Sequence, residues 1–514
     1  MKILLFILFV FLSLFSIFGY GKIFETVFID KKKDLTIGLT GFLGLFLLSV
    51  ISYFTHIFTS HHYIHNSLFF IIGVSSFLLF LKNGRIKIKK YHCIILFLLI
   101  IGIFLAKSHD DFSYYHLPNA LHFVENKLEF GLGNLNHGFK HHSSVFYLYS
   151  IFFLPFIDFY LFNVLNFFFL LFSVIYLFES VKDDIDSKKF DNISLIKVVF
   201  LLLFISLFNR IGEYGTDITG QLLAGVLICI TLEAVFRSQI KIYTLLIVLS
   251  IVTYLITIKT YFIVYIFFLL VLILAAEKDQ ILKKIIFTKL FLFVTFVATL
   301  FTIINISSTG CIIYPVSKLC FPNYFSWGLR LETVNYLSNW YEIWSKAGAG
   351  PNFRVEDPLI YIQKLNWLNN WIDKYFFTKV SDFLLALFTG MIITLIVFRK
   401  NFIFKRKFKK NIILIYLGIL FLTFIWFFKF PSLRYGGYIL LISFFVIPFS
   451  LLFNFKVNFD LRKKFKVLLA ISVLIFNLKN ISRINKEFSY SAAGYFKSFP
   501  LFHVEKVDFN KKLI

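Results

Sequence analysis

Two adjacent carboxylates, Asp110 and Asp111, directly follow an apolar run that ends near residue 106, in the stretch HDDFSYYHLPNALHFVENKLEFGLGNLNHGFKHHSS of residues 109–144. A carboxylate is costly inside a bilayer, so a pair at the edge of an apolar run points to handling of an ion, a proton or a polar substrate. A solvated loop start is the plain alternative. Phe112, Tyr114 and Tyr115 lead to His116 and Pro118, an amphipathic piece suited to a membrane interface, with its rings among the headgroups. A second acidic stretch, NRIGEYGTDITGQ at 209–221, supplies Arg210, Glu213 and Asp217 between two charge-poor runs. Two carboxylate-bearing loops that converged on one cavity could perform acid–base or metal chemistry. A third stretch, KFPSLRYGG at 429–437, sets Arg434 and Tyr435 between Pro431 and paired glycines. A guanidinium grips phosphate in a bidentate way, although at a membrane edge it also snorkels to water. Lys259, in a very short turn between apolar runs, admits the same two readings, with snorkelling favoured.

Other candidates carry less. The GLGN of residues 131–134 lacks the strand, helix and remaining glycines of a nucleotide loop and reads as a tight turn. His137, His141 and His142 could ligate a metal with Asp110 or Asp111, a reading that the general abundance of histidine in these loops disfavours. Cys311 and Cys320 enclose eight residues including a proline, a loop short enough to close as a disulfide in an oxidising compartment; two reduced thiols are the alternative. Cys93 and Cys229 fall within apolar runs and read as small packing residues.

The elements that must position these groups are membrane helices. Of 514 residues, 59% are hydrophobic, 16% are charged, 74 are Phe, and mean hydropathy is +0.80. Soluble chains average about 45–50% apolar and about 25% charged residues, so a soluble or disordered protein is excluded. Runs near or above bilayer-crossing length occur at 3–20, 36–58, 159–179, 219–236, 286–306, 380–398, 411–428 and 438–455, with shorter ones at 67–82, 92–106, 195–208, 241–257, 261–276 and 466–478. The expectation is an all-α polytopic protein of about 14 spans. Residues 145–156, broken at Pro155, read as a re-entrant or interfacial piece.

The net charge of +25 lies mainly in alternate short loops such as 82–91 and 399–410. By the positive-inside rule these face the cytoplasm, which makes the charge a topology signal and membrane lipid, not nucleic acid, the partner. The segments 107–144, 209–218, 307–379, 429–437 and 479–514 then face outward, and with them every candidate group named above except Cys93 and Cys229. A cleaved signal peptide is the competing reading of residues 1–20, but an uncleaved first span is favoured, since the apolar stretch is long and lacks a clear small-residue cleavage site. Four regions result: 1–106 with four spans, 107–306 with the first acidic loop, 307–379 as an extracytoplasmic loop region, and 380–514 with the C-terminal spans and tail.

A multispan chain with an acidic motif in its first large outer loop, a second acid in a later one and a late outer Arg resembles the GT-C superfamily of membrane glycosyltransferases. These take sugar from a polyprenyl phosphate or diphosphate carrier on the outer leaflet. More narrowly, DDFSYYHLP, then GLGNL, then Ser143-Ser144 before an apolar run, is similar to an uncharacterised group of bacterial polytopic proteins. The resemblance implies that 107–306 is a GT-C-like catalytic core and that Asp111 or Asp110 is the first-loop acid, acting as general base or positioning the acceptor. Asp217, with Glu213 behind it, takes the place of the second acid, and Arg434 holds the carrier phosphate. His116, Glu213, Lys259, Arg434 and Tyr435 make up the implied substrate-binding set. The implied partner is a polyprenyl-linked sugar donor and the implied chemistry an inverting transfer, in a bacterial plasma membrane with the site facing the periplasm or exterior. No cofactor is firmly implied, although some members of the superfamily hold a divalent metal ion. The rival reading is a transporter or flippase of a lipid-linked saccharide, for which midplane charge is the expected mark.

Overall fold

Uninterrupted Leu, Ile and Phe runs leave the backbone no polar environment but itself, and the helix satisfies every N–H and C=O within one segment. A computed structural model describes residues 2–29, 35–104, 111–209, 211, 215–276, 281–350, 353–399, 402–404, 410–455 and 460–490. The helices are, in order, α1 (Lys2–Phe24), α2 (Ile37–His56), α3 (Tyr63–Lys82), α4 (Lys90–Leu99), α5 (Leu117–Glu125), α6 (Ser144–Ile151), α7 (Val164–Asp186), α8 (Asn192–Leu207), α9 (Thr216–Phe236), α10 (Ile242–Ile258), α11 (Ile266–Ala275), α12 (Ile281–Ile286), α13 (Lys289–Thr309), α14 (Leu331–Lys346), α15 (Pro358–Tyr361), α16 (Leu368–Trp371), α17 (Ser381–Phe398), α18 (Lys410–Lys429), α19 (Gly437–Leu451) and α20 (Asp460–Tyr490). Among the described residues, nine helical runs are long and apolar enough to cross a membrane and five further apolar helices are shorter. The protein is a helical integral membrane protein.

Helices α2, α7 and α9 are buried along almost their whole length, while α3, α13, α17, α18 and α20 turn much of their apolar surface outward. Leu79, Leu292, Leu385, Phe421 and Leu474 are among the exposed apolar side chains. An outward apolar surface of this extent is what hydrocarbon solvates. One continuous core runs from Phe6 on α1 to Phe476 on α20, and a small satellite of Cys311, Tyr314, Cys320, Leu329 and Val334 lies after α13.

Several elements differ from the sequence expectation. The run Leu368–Phe398 is helical throughout, with a π-helical stretch at Ile372–Val380, so Trp367, Trp371 and Tyr375, expected in the large outer segment, are buried. Their ring surfaces outweigh the local polar residues once the α18 face is available to cover them, Phe427 packing on both Trp367 and Trp371. The last helix extends to Tyr490 rather than ending near residue 478. At the other extreme, α6 is only eight residues long, about 12 Å, and the chain turns back at Leu154–Asp158. A three-residue antiparallel strand pair, β1 (Phe402–Phe404) with β2 (Phe453–Phe455), joins two basic loops and has no signal in the apolar pattern.

The end of the bundle where α7 meets α8 and α9 holds a buried ionic network. Arg237, just past α9, donates to Asp184 on α7 at 2.7 Å and to Asp191, the N-cap of α8, at 3.0 and 3.1 Å. Lys197, wholly buried on α8, reaches Glu233 at 2.8 Å. Asp217 opens the opposite end of α9, about 30 Å away along the helix axis.

Candidate functional site

Asp217 sits in the first turn of α9, where the helix dipole favours negative charge. Lys259 is the residue between α10 and a 3₁₀ turn, Thr260–Tyr265. Arg434 rides a second 3₁₀ turn, Leu433–Tyr435, which ends at Gly436 with φ of 90°, a conformation that glycine adopts without strain. Asp111 immediately precedes a π-helical turn, Phe112–His116. Four chain segments thus deliver four charged side chains to one place.

Arg434 is the centre. Its Nε donates to Asp217 Oδ2 at 2.7 Å and its Nη2 to Asp111 Oδ2 at 3.3 Å, while Nη1 makes no hydrogen bond among the described residues. Lys259 Nζ donates to the other oxygen of Asp217 and lies 4.3 Å from the centre of the Tyr435 ring. Asp217 is the most enclosed of the four, its side chain 13% exposed, against 26% for Lys259, 28% for Asp111 and 36% for Arg434. Burial pushes the Lys259 ammonium below its usual range, with Asp217 opposing. For Arg434 burial acts in the same direction, but the neighbouring carboxylates and phenols hold the guanidinium well above its ordinary range. Burial raises Tyr435 as well, leaving it a neutral phenol.

The turn that carries Arg434 is pinned by groups with no sequence signal of their own. Trp371 Nε1 donates to the carbonyl of Pro431 and Trp426 Nε1 to that of Ser432, both at 2.8 Å. Tyr375 Oη accepts from Leu433 N at 2.8 Å, and Gln221 Nε2 donates to the Arg434 carbonyl at 3.3 Å. On the Lys259 side, Ser143 Oγ donates to the Ile258 carbonyl at 2.7 Å.

The other sequence candidates fall differently. Lys259, expected to snorkel to water, instead pairs with Asp217, whose second carboxylate oxygen, largely enclosed, would otherwise lack a cationic partner. His116 is buried, 4% exposed, with its ring between Tyr115 and Phe146 and against Gly215. Asp110, Arg210 and Glu213 lie outside the described residues. The GLGN stretch is a turn, with Gly131 at φ of 78° followed by a 3₁₀ turn at Leu132–Asn134. Cys311 and Cys320 are joined by a disulfide. His137 and His141 share the hydroxyl of Tyr341, at 3.1 and 2.5 Å, rather than facing Asp111.

Among the described residues no group of three His, Cys, Asp or Glu side chains is placed to hold a metal ion. The donor set explains this: the space between Asp111 and Asp217 already holds the Arg434 guanidinium, and Lys259 takes the second oxygen of Asp217. Among the described residues two carboxylates and two cations sum to zero charge, and the Nη1 amino group of Arg434 is left to engage an incoming anion.

Beside this cluster stands α14, a helix within the segment 307–379 that carries Trp340, Tyr341 and Trp344. Trp344 lies 5.3 Å from the Arg434 guanidinium carbon and 5.9 Å from the Tyr435 ring, nearly perpendicular to that ring.

The fold and this cluster define a helical membrane protein with a mutually paired ionic site, neutral among the described residues, at one end of its bundle. Residues 3–441 match the family model described as a domain of unknown function (DUF8201), and the chain belongs to that family. The match spans Asp111, Asp217, Lys259 and Arg434. No curated protein and no solved structure matches the chain.

Proposed function

We propose that the protein is a GT-C-type membrane glycosyltransferase, moving a sugar from a polyprenyl-phosphate-type carrier to an envelope glycan, lipid or protein acceptor. The observation that supports this reading best is the bridging of Asp111 and Asp217 by Arg434 where α9 and α19 begin and α10 ends. A site for a lipid-linked phosphate needs a cation at the edge of a hydrocarbon-facing bundle, and a transfer from it needs a carboxylate beside that cation. The basic loop Lys82–Lys90 adjoins the far end of α7, where Lys89 and Lys182 both approach the Tyr91 ring. By the positive-inside rule that end is cytoplasmic and the Arg434 cluster faces the exterior of a bacterial plasma membrane. On this topology the nine long and five shorter apolar helices make fourteen spans.

The residues divide the work. Asp217, engaged by two cations, is the counter-ion that orients Lys259 and Arg434 rather than a base. Arg434 Nη1 binds the carrier phosphate, charge-assisted and directional. Asp111 is the base. The acceptor hydroxyl oxygen attacks the anomeric carbon, its proton passes to Asp111, and the bond from that carbon to the phosphate oxygen breaks, the electron pair leaving on the phosphate. A positioned base contributes about 10²–10⁴-fold, and the cation stabilises the charge that develops on the leaving group. One displacement inverts the anomeric configuration.

The test is purified protein in lipid vesicles with polyprenyl-linked sugars and a panel of acceptors, wild type against Asp111→Asn. Loss of transfer by at least about 100-fold at unchanged folding is expected. Transfer at the wild-type rate by the Asn variant removes Asp111 from the reaction, and movement of intact lipid-linked sugar across the bilayer without transfer makes the protein a transporter.

A further inference from the structure

The six tryptophans fall into two groups. Trp327, Trp367, Trp371 and Trp426 each donate the indole N–H to a backbone carbonyl, of Ile306, Lys364, Pro431 and Ser432, at 2.8–3.1 Å. Trp340 and Trp344 donate to nothing among the described residues, although both are half-buried. Both rings are half-exposed, so water can satisfy each N–H in the free protein and a ligand oxygen can take its place. Their spacing of four residues puts them on the same side of α14, with ring centres 6.4 Å apart and planes 17° from parallel.

That face is held rigid from behind. Glu342, two residues from each tryptophan and so on the opposite side of the helix, pairs with Lys346 at 2.6 Å and with Lys429 at 3.1 Å, and Lys346 also donates to the Ile362 carbonyl at 3.0 Å. Tyr341 is fixed between His137 and His141. Rigid aromatic side chains offer a large amphipathic contact at low entropic cost, which suits a ligand with both apolar C–H surface and hydroxyl oxygens.

The neighbour of this face is the Arg434 cluster. In a glycosyl phosphate the sugar ring is one bridging oxygen from phosphorus, so a phosphate on Arg434 Nη1 brings its sugar to the α14 tryptophans. We infer that Trp344 and Trp340 recognise the sugar of the lipid-linked donor, their indole N–H groups donating to its hydroxyl oxygens while Arg434 holds its phosphate. This rests on the transferase reading of the Arg434 cluster and adds the part of the donor that α14 reads.

The experiment uses the full-length protein in lipid nanodiscs and measures Kd for bare polyprenyl phosphate and for the same lipid carrying a hexose, an N-acetylhexosamine or a pentose. Wild type binds at least one glycosylated lipid more tightly than the bare one. Trp344→Phe and Trp340→Phe, which keep a ring and lose the N–H, each weaken that lipid by about three- to tenfold, the worth of one hydrogen bond, and leave bare polyprenyl phosphate unchanged. Arg434→Gln weakens both. Phe variants that bind every lipid as wild type does overturn the inference, as do variants that weaken bare and glycosylated lipid equally, which would make Trp344 a support for Arg434 alone. Wild type that gains nothing from any sugar also overturns it, with the phosphate site intact. Failure of wild type to bind bare polyprenyl phosphate instead sinks the transferase reading beneath it.

Discussion

Changing Asp217 to Asn keeps the side-chain volume and one acceptor oxygen but leaves Lys259 and Arg434 facing a single described carboxylate, Asp111. The two cations then repel within a site from which water is partly excluded. Removing one partner of a buried ion pair costs about 3–5 kcal/mol. Here Lys259 is a quarter exposed and Arg434 about a third, so solvent offsets part of that cost and about 2 kcal/mol remains. Lys259→Met alone costs less, about 1 kcal/mol, because Arg434 still neutralises Asp217 at 2.7 Å. The double variant restores neutrality through the contact of Arg434 with Asp111, so it is less destabilised than the sum of the two by about 1–2 kcal/mol. Equilibrium unfolding of the four proteins in one mild detergent measures this coupling. Single effects that add to within about 0.5 kcal/mol would refute the claim that these groups form one electrostatic unit.

Two further outcomes follow from groups outside that cluster. Arg237→Lys leaves Asp184, Asp191 and Glu233 without the forked donor that joins α7, α8 and α9, and a loss of about 3 kcal/mol is expected; wild-type stability of the Lys variant in the same unfolding assay would show that the network needs only one positive charge there. Burial pushes His142 down to about 4, and burial with His137, Lys259, His142 and Lys140 nearby pushes His141 down to about 3, against about 6.5 for an unperturbed histidine. The unfolded chain therefore binds more protons than the folded one across this range, so their contribution to stability is complete above about pH 6.5 and erodes as pH falls toward 4. The unfolding midpoint drops between pH 7.5 and 5, and His142→Gln flattens the drop; a profile untouched by that substitution places the titrating groups elsewhere.

The amino-acid order alone determines the helices. Whether a run of Leu, Ile and Phe becomes a helix depends on its length and on its own backbone groups, which are local quantities, so most apolar runs read from the sequence reappear as helices. It also places Asp111, Asp217, Lys259 and Arg434 each at the end of such a run, where a charge can reach water. Where the local pattern carries competing signals the boundaries move: Trp367, Trp371 and Tyr375 are polar-tipped aromatics that suit a loop or an interface, and only the arrival of α18 makes burying them favourable.

What no local pattern encodes is partnership. Arg434 and Asp111 are 323 residues apart, and the energy that joins them depends on a distance that exists only after α9, α10 and α19 have packed. The same holds for Lys259, whose stem could equally have reached water, and for Lys197, buried where two carboxylates on neighbouring helices, Asp184 and Glu233, converge near it. The burial of His116, five residues after Asp111, likewise depends on the turn of the backbone and the close approach of Gly215. Trp340 and Trp344 were visible as aromatics among many, and only the tally of where each indole N–H finds its acceptor sets them apart. Charge placement at run ends is thus a property of sequence, while its pairing, its neutralisation and the faces left open to a ligand are properties of tertiary structure, because Coulomb and hydrogen-bond energies are functions of separation in space rather than of position along the chain.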